Sequence, residues 1–352
     1  MENEKRYLGL IYGALLLAVV VVVLGAFTRL TEAGLGCPDW PGCYGFLTVP
    51  QSADKLAQAT EAFPHAPVEI HKAWYEMIHR YVAGTLGLVI AAITWLAWRR
   101  PPRNRVLPTM LLGVVIFQAA LGMWTVTMNL MPVVVMGHLL GGFTTVTLLF
   151  MLAWLERRRI NTPVQRELDA RTVPVSGKLK GLSVAALLAV VMQIALGGWT
   201  SANYSALVCT QLPICEADWV EKYDASAFHP ISPENDTYQY GVLNFDQRVT
   251  IHATHRIGAM VVTALILVLA FAVRKPLGLG ASLLLLGALG IQITLGVTNV
   301  IALLPLSVAV AHNVCGLFLL LVTVRTVTGV FLPLRVNAAR SPLEDSGRLS
   351  HG

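Results

Sequence analysis

Of the nine histidines in this chain, five stand in or at the start of long apolar stretches: His79, His138, His252, His255 and His312. His65, His71, His229 and His351 fall in the polar segments between and after those stretches. An ionisable side chain inside an apolar stretch is costly and is by default functional. The spacing is ordered. His79-Arg80 is echoed by His255-Arg256; Gln118 precedes His138 by 20 residues, and Gln292 precedes His312 by 20. Neutral imidazole is a good metal ligand, and two of them facing each other fill both axial positions of a haem iron. The plainer reading is a set of histidines that hydrogen-bond between helices. Glu76 lies three residues before His79, on the same helical face, where the echo has His252. A carboxylate there is suited to accept or pass on protons; the plainer reading is an interfacial Glu in water. Glu-x-x-His also occurs in di-iron bundles, but these need several further carboxylates, and no other Asp or Glu lies within these stretches.

The elements that carry these residues are membrane spans. The chain has 352 residues, 55% hydrophobic and 13% charged, against roughly 25% charged in a soluble domain. A spanning helix needs about 20 mostly apolar residues. Eight segments qualify: Leu8–Phe27, Met77–Trp98, Leu107–Thr127, Val133–Leu155, Gly181–Ser201, Val249–Val273, Leu279–Val300 and Leu304–Thr326. Pro132 and Pro305 mark tight turns inside two uncharged runs too long for one span. The first stretch exceeds a signal-peptide core of about 7–15 residues, so it is expected to be retained; Ala33-Gly34-Leu35-Gly36-Cys37 lies too far beyond it for a lipoprotein site. The short lead before it leaves no room for a transit peptide, which favours a bacterial inner membrane.

Basic residues set the orientation. A net charge of +6 suits nucleic acid in general, but its carriers here stand at span ends. Lys5 and Arg6, Arg99 to Arg105, Arg157 to Lys180, Arg274 and Lys275, and the Arg335–Arg348 tail mark one side, expected to be cytoplasmic together with both termini. The long loops Arg29–Glu76 and Ala202–Arg248 are expected outside. The second is acid-rich, with Glu216, Asp218, Glu221, Asp224, Glu234 and Asp236. Loops of that length are uncommon and often functional.

The two halves repeat at an offset of 172 to 176 residues. Gly25-Ala26-Phe27-Thr28 matches Gly197-Gly198-Trp199-Thr200, and Cys37 and Cys43 match Cys209 and Cys215. Four spans per half is an even number, so the halves share an orientation and are expected to be related by an axis along the membrane normal. The expected fold is an all-α integral membrane protein of two parallel, pseudo-twofold four-helix bundles. Residues 1–160 form the first half, 161–180 a cytoplasmic linker, 181–332 the second half and 333–352 a cytoplasmic tail. His79 and His138 would sit at one shallow level in the first half, His79 about one turn into its helix. His255 and His312 would do the same in the second.

Each cysteine pair is placed to close a small loop, Cys37–Cys43 and Cys209–Cys215, on the side where disulfides persist. Neither has the spacing of covalent haem attachment. A structural role and, for Cys37/Cys43, a redox role both stand. Cys315 is expected to be a small buried packing residue. Arg80 and Arg256 suit either a haem propionate or an interfacial anchor.

Three segments together resemble bacterial haem A synthases: Arg29-Leu30-Thr31, the run from Gly34 through Cys37-Pro38-Asp39-Trp40-Pro41-Gly42-Cys43, and Glu76-Met77-Ile78-His79-Arg80. His138, His255-Arg256 and His312 complete the pattern, which covers all eight spans. The resemblance implies oxidation of the C8 methyl of haem O to a formyl group, giving haem A for cytochrome oxidase. It implies haem B on His255 and His312, haem O near His79 and His138, a role for Glu76 in the oxidation, and a disulfide-capable Cys37/Cys43 pair linked to turnover. Expected partners are membrane lipid, haem O, haem O synthase, an electron-transfer partner and further copies of the chain. A di-haem cytochrome b-type electron carrier would use the same ligands, but all four histidines near one face argue against relay across the membrane. A transporter would leave them without a cofactor.

Overall fold

A computed structural model describes residues 2–99, 104–160, 175–216 and 218–332. Arg100, Arg103, Arg166, Arg171, His351, the linker positions 161–174 and the tail beyond 332 lie outside the described residues. Among those described, nine α-helices occur: α1 (Glu2–Leu30), α2 (Ala53–Ala62), α3 (Ile70–Arg99), α4 (Val106–Thr127), α5 (Pro132–Ile160), α6 (Gly177–Ala202), α7 (Phe245–Val273), α8 (Leu279–Ile301) and α9 (Leu306–Phe331). All but α2 are long and apolar enough to cross a membrane. Helices are what a chain must form in lipid, where backbone groups have no water to bond.

Seven expected spans lie within these helices; the eighth, Leu304–Thr326, starts two residues before α9, because Leu304 belongs to the turn and Pro305 caps the helix. α3 starts at Ile70, so His71 is helical rather than in a loop, and His79 stands nine residues in rather than about one turn. The polar segment 70–76 carries no span signal, yet it continues the helix beyond the apolar stretch. Residues 177–180, expected in the linker, begin α6, where the Ser176 side chain accepts from Leu179 N–H. The first long loop is interrupted by α2. α7 opens on a capping box, Asn244 with Gln247, which satisfies two free helix-end amides.

In the first half α1 packs on α3 and α5, α3 on α4, and α4 on α5; in the second α6 packs on α7 and α9, α7 on α8, and α8 on α9. Between the halves α1 meets α9, α5 meets α6, and α5 meets α9. The repeat extends to backbone conformation. Glu32 and Tyr204 adopt φ of 56° and 53°; Asn129-Leu130 and Leu303-Leu304 form matching pairs of positive φ in the two tight turns. None of these six is glycine, so each turn is held by its hydrogen bonds, Leu130 N–H to Thr125 and Leu304 N–H to Asn299, both 2.8 Å.

The large apolar core, including Ile11, Ile90, Ile93, Leu149, Leu152, Ile266 and Leu269, fills the end of the molecule away from the long loops. On α3, Ile90 is 11 residues beyond His79, about 16 Å at 1.5 Å per residue. The histidine-bearing level lies between that core and the loops.

Candidate functional site

Each of the four repeat-related histidines faces a glycine on the neighbouring helix. An ideal Cβ on Gly25 would lie 3.0 Å from Cε1 of His79, on Gly122 3.4 Å from His138, on Gly197 3.2 Å from His255, and on Gly296 3.1 Å from His312. Four imidazoles thus occupy space that a methyl group would crowd. His79 and His138 come together as a pair, ring centroids 6.4 Å apart and planes at 82°. His255 on α7 and His312 on α9 hold the matching positions in the second half. The Nδ1 atoms of His79, His138 and His312 are buried with no hydrogen-bond partner. A buried polar atom without a partner is costly.

These features fit a haem iron between paired imidazoles. Metal–imidazole bonds of about 2 Å on either side, plus two half-rings, put the ring centroids roughly 6 Å apart. The ligand form of such donors is the neutral imidazole, which offers one ring nitrogen to iron and keeps the other as N–H. His252 is also buried with its Nδ1 unpartnered, but it lies beneath the second cysteine loop and its Nε2 accepts from Arg256 Nε at 3.1 Å.

Both cysteine pairs are disulfides, Cys37–Cys43 and Cys209–Cys215. Each loop is clamped by the arginine that follows the repeat-related histidine. Arg80 Nη1 donates to the carbonyls of Asp39 at 2.9 Å, Pro41 at 3.3 Å and Gly42. Arg256 donates to Gln211, to Ile214 at 2.7 Å and to Cys209 at 2.6 Å. Each guanidinium therefore directs donors to loop carbonyls and one more to a buried side chain of its own helix, Glu76 for Arg80 and His252 for Arg256. Glu76 is buried and joins the first clamp: Oε1 accepts from Arg80 Nη2, and Oε2 accepts from the Cys37 backbone N–H at 2.9 Å. Loop, arginine and carboxylate form one unit, three residues along α3 from His79.

The loops are also braced internally. The Asp39 carboxylate accepts from Tyr44 N–H at 2.6 Å and Gly45 N–H at 2.8 Å. Glu216 does the same work in the second loop, accepting from Thr210 N–H at 3.0 Å, a bond that holds its carboxyl below the usual range. Gly36 presses on α3, where a Cβ would come within 2.6 Å of the Lys72 backbone. Tyr44 donates to the Pro67 carbonyl at 3.0 Å, and burial pushes its phenol up to about 12.

The second long loop crosses to the first half. Asn129 Nδ2 donates to the Asp236 carbonyl at 2.8 Å and Tyr238 N–H to the Asn129 carbonyl at 2.9 Å. Arg29 Nη1 donates to Tyr204 Oη and Nη2 to the Ser201 carbonyl, both 2.7 Å.

The glutamines belong to the site, although spacing marked Gln118 and Gln292 only as repeat positions. Gln118 Nε2 donates to the His138 carbonyl at 2.9 Å, and Gln292 Nε2 lies 3.3 Å from Nε2 of His312. Gln193, which no spacing marked, donates to the His255 carbonyl at 2.8 Å and lies 3.0 Å from its Nδ1. Cys315, expected to be buried, is only partly so; it is the repeat counterpart of Gly141, where a Cβ would overlap the Gln118 amide.

Comparison with known proteins adds the chemistry. The profile of the COX15-CtaA family, described as cytochrome oxidase assembly protein, matches residues 9–324. A Heme A synthase of Shewanella oneidensis is 46% identical over 315 residues, covering 89% of this chain and 93% of that protein. Heme A synthases of Novosphingobium aromaticivorans and Rhodopseudomonas palustris are 27% and 28% identical over 87% and 91% of the chain, and 90% and 88% of those proteins.

Proposed function

This chain belongs to the COX15-CtaA family of cytochrome oxidase assembly proteins, and from that premise we propose how its two halves divide the work. The protein is a haem A synthase, a membrane oxidoreductase converting haem O to haem A. Its spans form two parallel four-helix bundles related by a pseudo-twofold axis. His255 and His312 hold a resident haem B in the C-terminal half. His79 and His138 receive the substrate haem O in the N-terminal half, where its C8 methyl is oxidised to a formyl group. The observation that carries this division is the set of four imidazoles, each opposite a glycine, with a buried carboxylate beside only one pair.

Haem B when bound supplies one-electron chemistry. The chain's own residues do the rest. Converting methyl to formyl removes four electrons in total, whichever molecule supplies the oxygen, and protons must leave the carbon. Glu76 takes them, three residues from His79. The Arg80 cation and the Cys37 amide hold its carboxylate in place. That same contact ties the carboxylate to the Cys37–Cys43 disulfide, the redox-linked pair. Arg80 and Arg256 serve the haem sites through the loops they clamp. Both long loops face the periplasm of a bacterial inner membrane, with both termini cytoplasmic. Haem O arrives from haem O synthase, and electrons leave to a further carrier.

The test is chemical. Purify the full chain in detergent, extract with acid-acetone, and identify the haems by chromatography and mass. Haem B together with haem O, its hydroxylated form or haem A is expected. Two haem B per chain and nothing else would overturn the division of the halves. Glu76→Gln should keep both haems bound and stall formyl production; an unaltered haem A yield would remove Glu76 from the chemistry.

A further inference from the structure

Of the four histidines, His79 alone has no glutamine four residues before the glycine it faces; Gln118, Gln193 and Gln292 hold that place for His138, His255 and His312. Gln193 stands four residues before Gly197 on α6, and its amide nitrogen lies 3.0 Å from His255 Nδ1 and 2.8 Å from the His255 carbonyl oxygen. It fits there because Gly258 has no side chain; a Cβ at Gly258 would overlap the amide oxygen of Gln193. In the first half the residue four before Gly25 is Val21, and the residue three after His79 is Val82, where the second half has Gly258 three after His255. A polar pair with its cradle is thus replaced by two valines. His79 has no side-chain partner, and the polar group it approaches there is the Val21 backbone.

We propose that Gln193, made possible by Gly258, is the positioning residue that makes His255 a permanent haem ligand, and that Val21 and Val82 leave His79 an exchangeable one. The inference rests on the reading that His255 binds haem B. A histidine ligand almost always gives its second nitrogen to a partner, which fixes tautomer and ring orientation and raises basicity. The amide oxygen of Gln193 is buried and unpartnered. As placed, the amide nitrogen bonds the His255 carbonyl and faces Nδ1; with iron on ring Nε2 the proton would sit on Nδ1, and the amide would turn over about its last torsion, giving up the carbonyl bond so that its oxygen accepts from Nδ1–H. His79 lacks this support, as suits a site whose haem must enter as substrate and leave as product.

The experiment compares Gln193→Val and Gln193→Glu with the unaltered protein loaded with haem. Two quantities are read: transfer of haem B to an excess of apomyoglobin, and the midpoint potential of the low-spin haem B. Gln193→Val should speed transfer by roughly 10–100-fold, the usual effect of removing an outer partner from a metal ligand, and raise the potential. Gln193→Glu should retain haem and lower the potential, since a stronger acceptor makes the imidazole a better donor to ferric iron. Transfer and potential unchanged in Gln193→Val would overturn the proposal. If that variant does not fold, Gly258→Ala displaces the amide with one methyl and must shift both quantities the same way; no shift overturns the proposal equally. In the first half, Val21→Gln/Val82→Gly should slow haem transfer from the substrate site, and an unchanged rate counts against the role given to the valines. His255→Ala separates the two readings: if it still binds haem B, the ligand assignment fails, whatever the glutamine variants do.

Discussion

The cysteine loops of the two halves are held by the same residue and anchored by different ones. Arg80 and Arg256 each reach carbonyls of the loop above them. Beside Arg80 stands a buried carboxylate, Glu76, that also takes the Cys37 amide; beside Arg256 stands a buried imidazole, His252, that takes the guanidinium Nε. The same mechanical task is therefore done once with a charge pair and once with a neutral acceptor. A buried ion pair is not needed for stability, since neutral or apolar replacements are often as good. Its presence in one half only points to use of the charge there, next to the histidines assigned to the substrate.

The largest expected effect breaks the comparison at the ligands. His255→Ala or His312→Ala should yield protein without haem B and without haem A formation, read by haem extraction. His79→Ala should keep haem B and lose only the substrate haem and its product. If all three variants lost the same haem, the halves would not be divided as proposed.

Next comes the clamp. Arg80→Ala removes the counter-charge of buried Glu76, which should cost about 3–5 kcal/mol. Arg256→Ala leaves no buried charge unpaired and loses hydrogen bonds of a charged donor, worth about 1.5–3 kcal/mol each in favourable cases but partly recovered by water at the loop. Thermal unfolding in detergent should rank Arg80→Ala below Arg256→Ala. The reverse order would mean that the Glu76 charge is not what distinguishes the first clamp.

Much of this arrangement was legible in the sequence, and the rest was hidden for identifiable reasons. The eight spans and the paired histidines follow from uncharged length and from fixed spacings, both local properties of the chain. The early start of α3 was not legible, because Ile70–Glu76 is mixed in character and its helix is fixed by the loop packed on it at Gly36. Nor was the target of Arg80 and Arg256: an interfacial guanidinium suits a propionate, lipid or a carbonyl equally, and only the folded loop decides. Gln193 was missed for a different reason. A search for repeats rewards sameness, and this residue matters where its counterpart is Val21. Gly122 and Gly296 could have been found, standing four residues after Gln118 and Gln292 at the same offset.

Those glycines give a smaller test. Gly25→Ala or Gly197→Ala puts a methyl 3.0 Å or 3.2 Å from an imidazole, an overpacking expected to cost about 1–3 kcal/mol. Haem retention should fall in the half that carries the change. Gly197→Ala should release haem B and Gly25→Ala only the substrate haem, each read from the extract. Equal loss of both haems from either variant would show that the methyl disturbs the whole bundle rather than one ligand.

The smallest effect concerns the second long loop, which crosses to the first half. Asn129 sits at φ 51° and donates to the Asp236 carbonyl at 2.8 Å, while the matching turn residue of the second half, Leu303, has an apolar side chain and makes no such bond. Asn is also among the residues that tolerate this left-handed conformation best. Asn129→Ala should therefore loosen residues 229–243 by about 1 kcal/mol, seen as several-fold faster hydrogen exchange in that segment, with haem content unchanged. Leu303→Ala should leave exchange in both long loops as it was. If Asn129→Ala left the segment equally protected, the loop would owe its place to the Trp199 Nε1 bond to the Ala227 carbonyl, 2.9 Å, and to the packing of Val133 and Met136 against Trp199 and Leu243. The crossing would then be held by apolar burial between the halves rather than by the turn of the first.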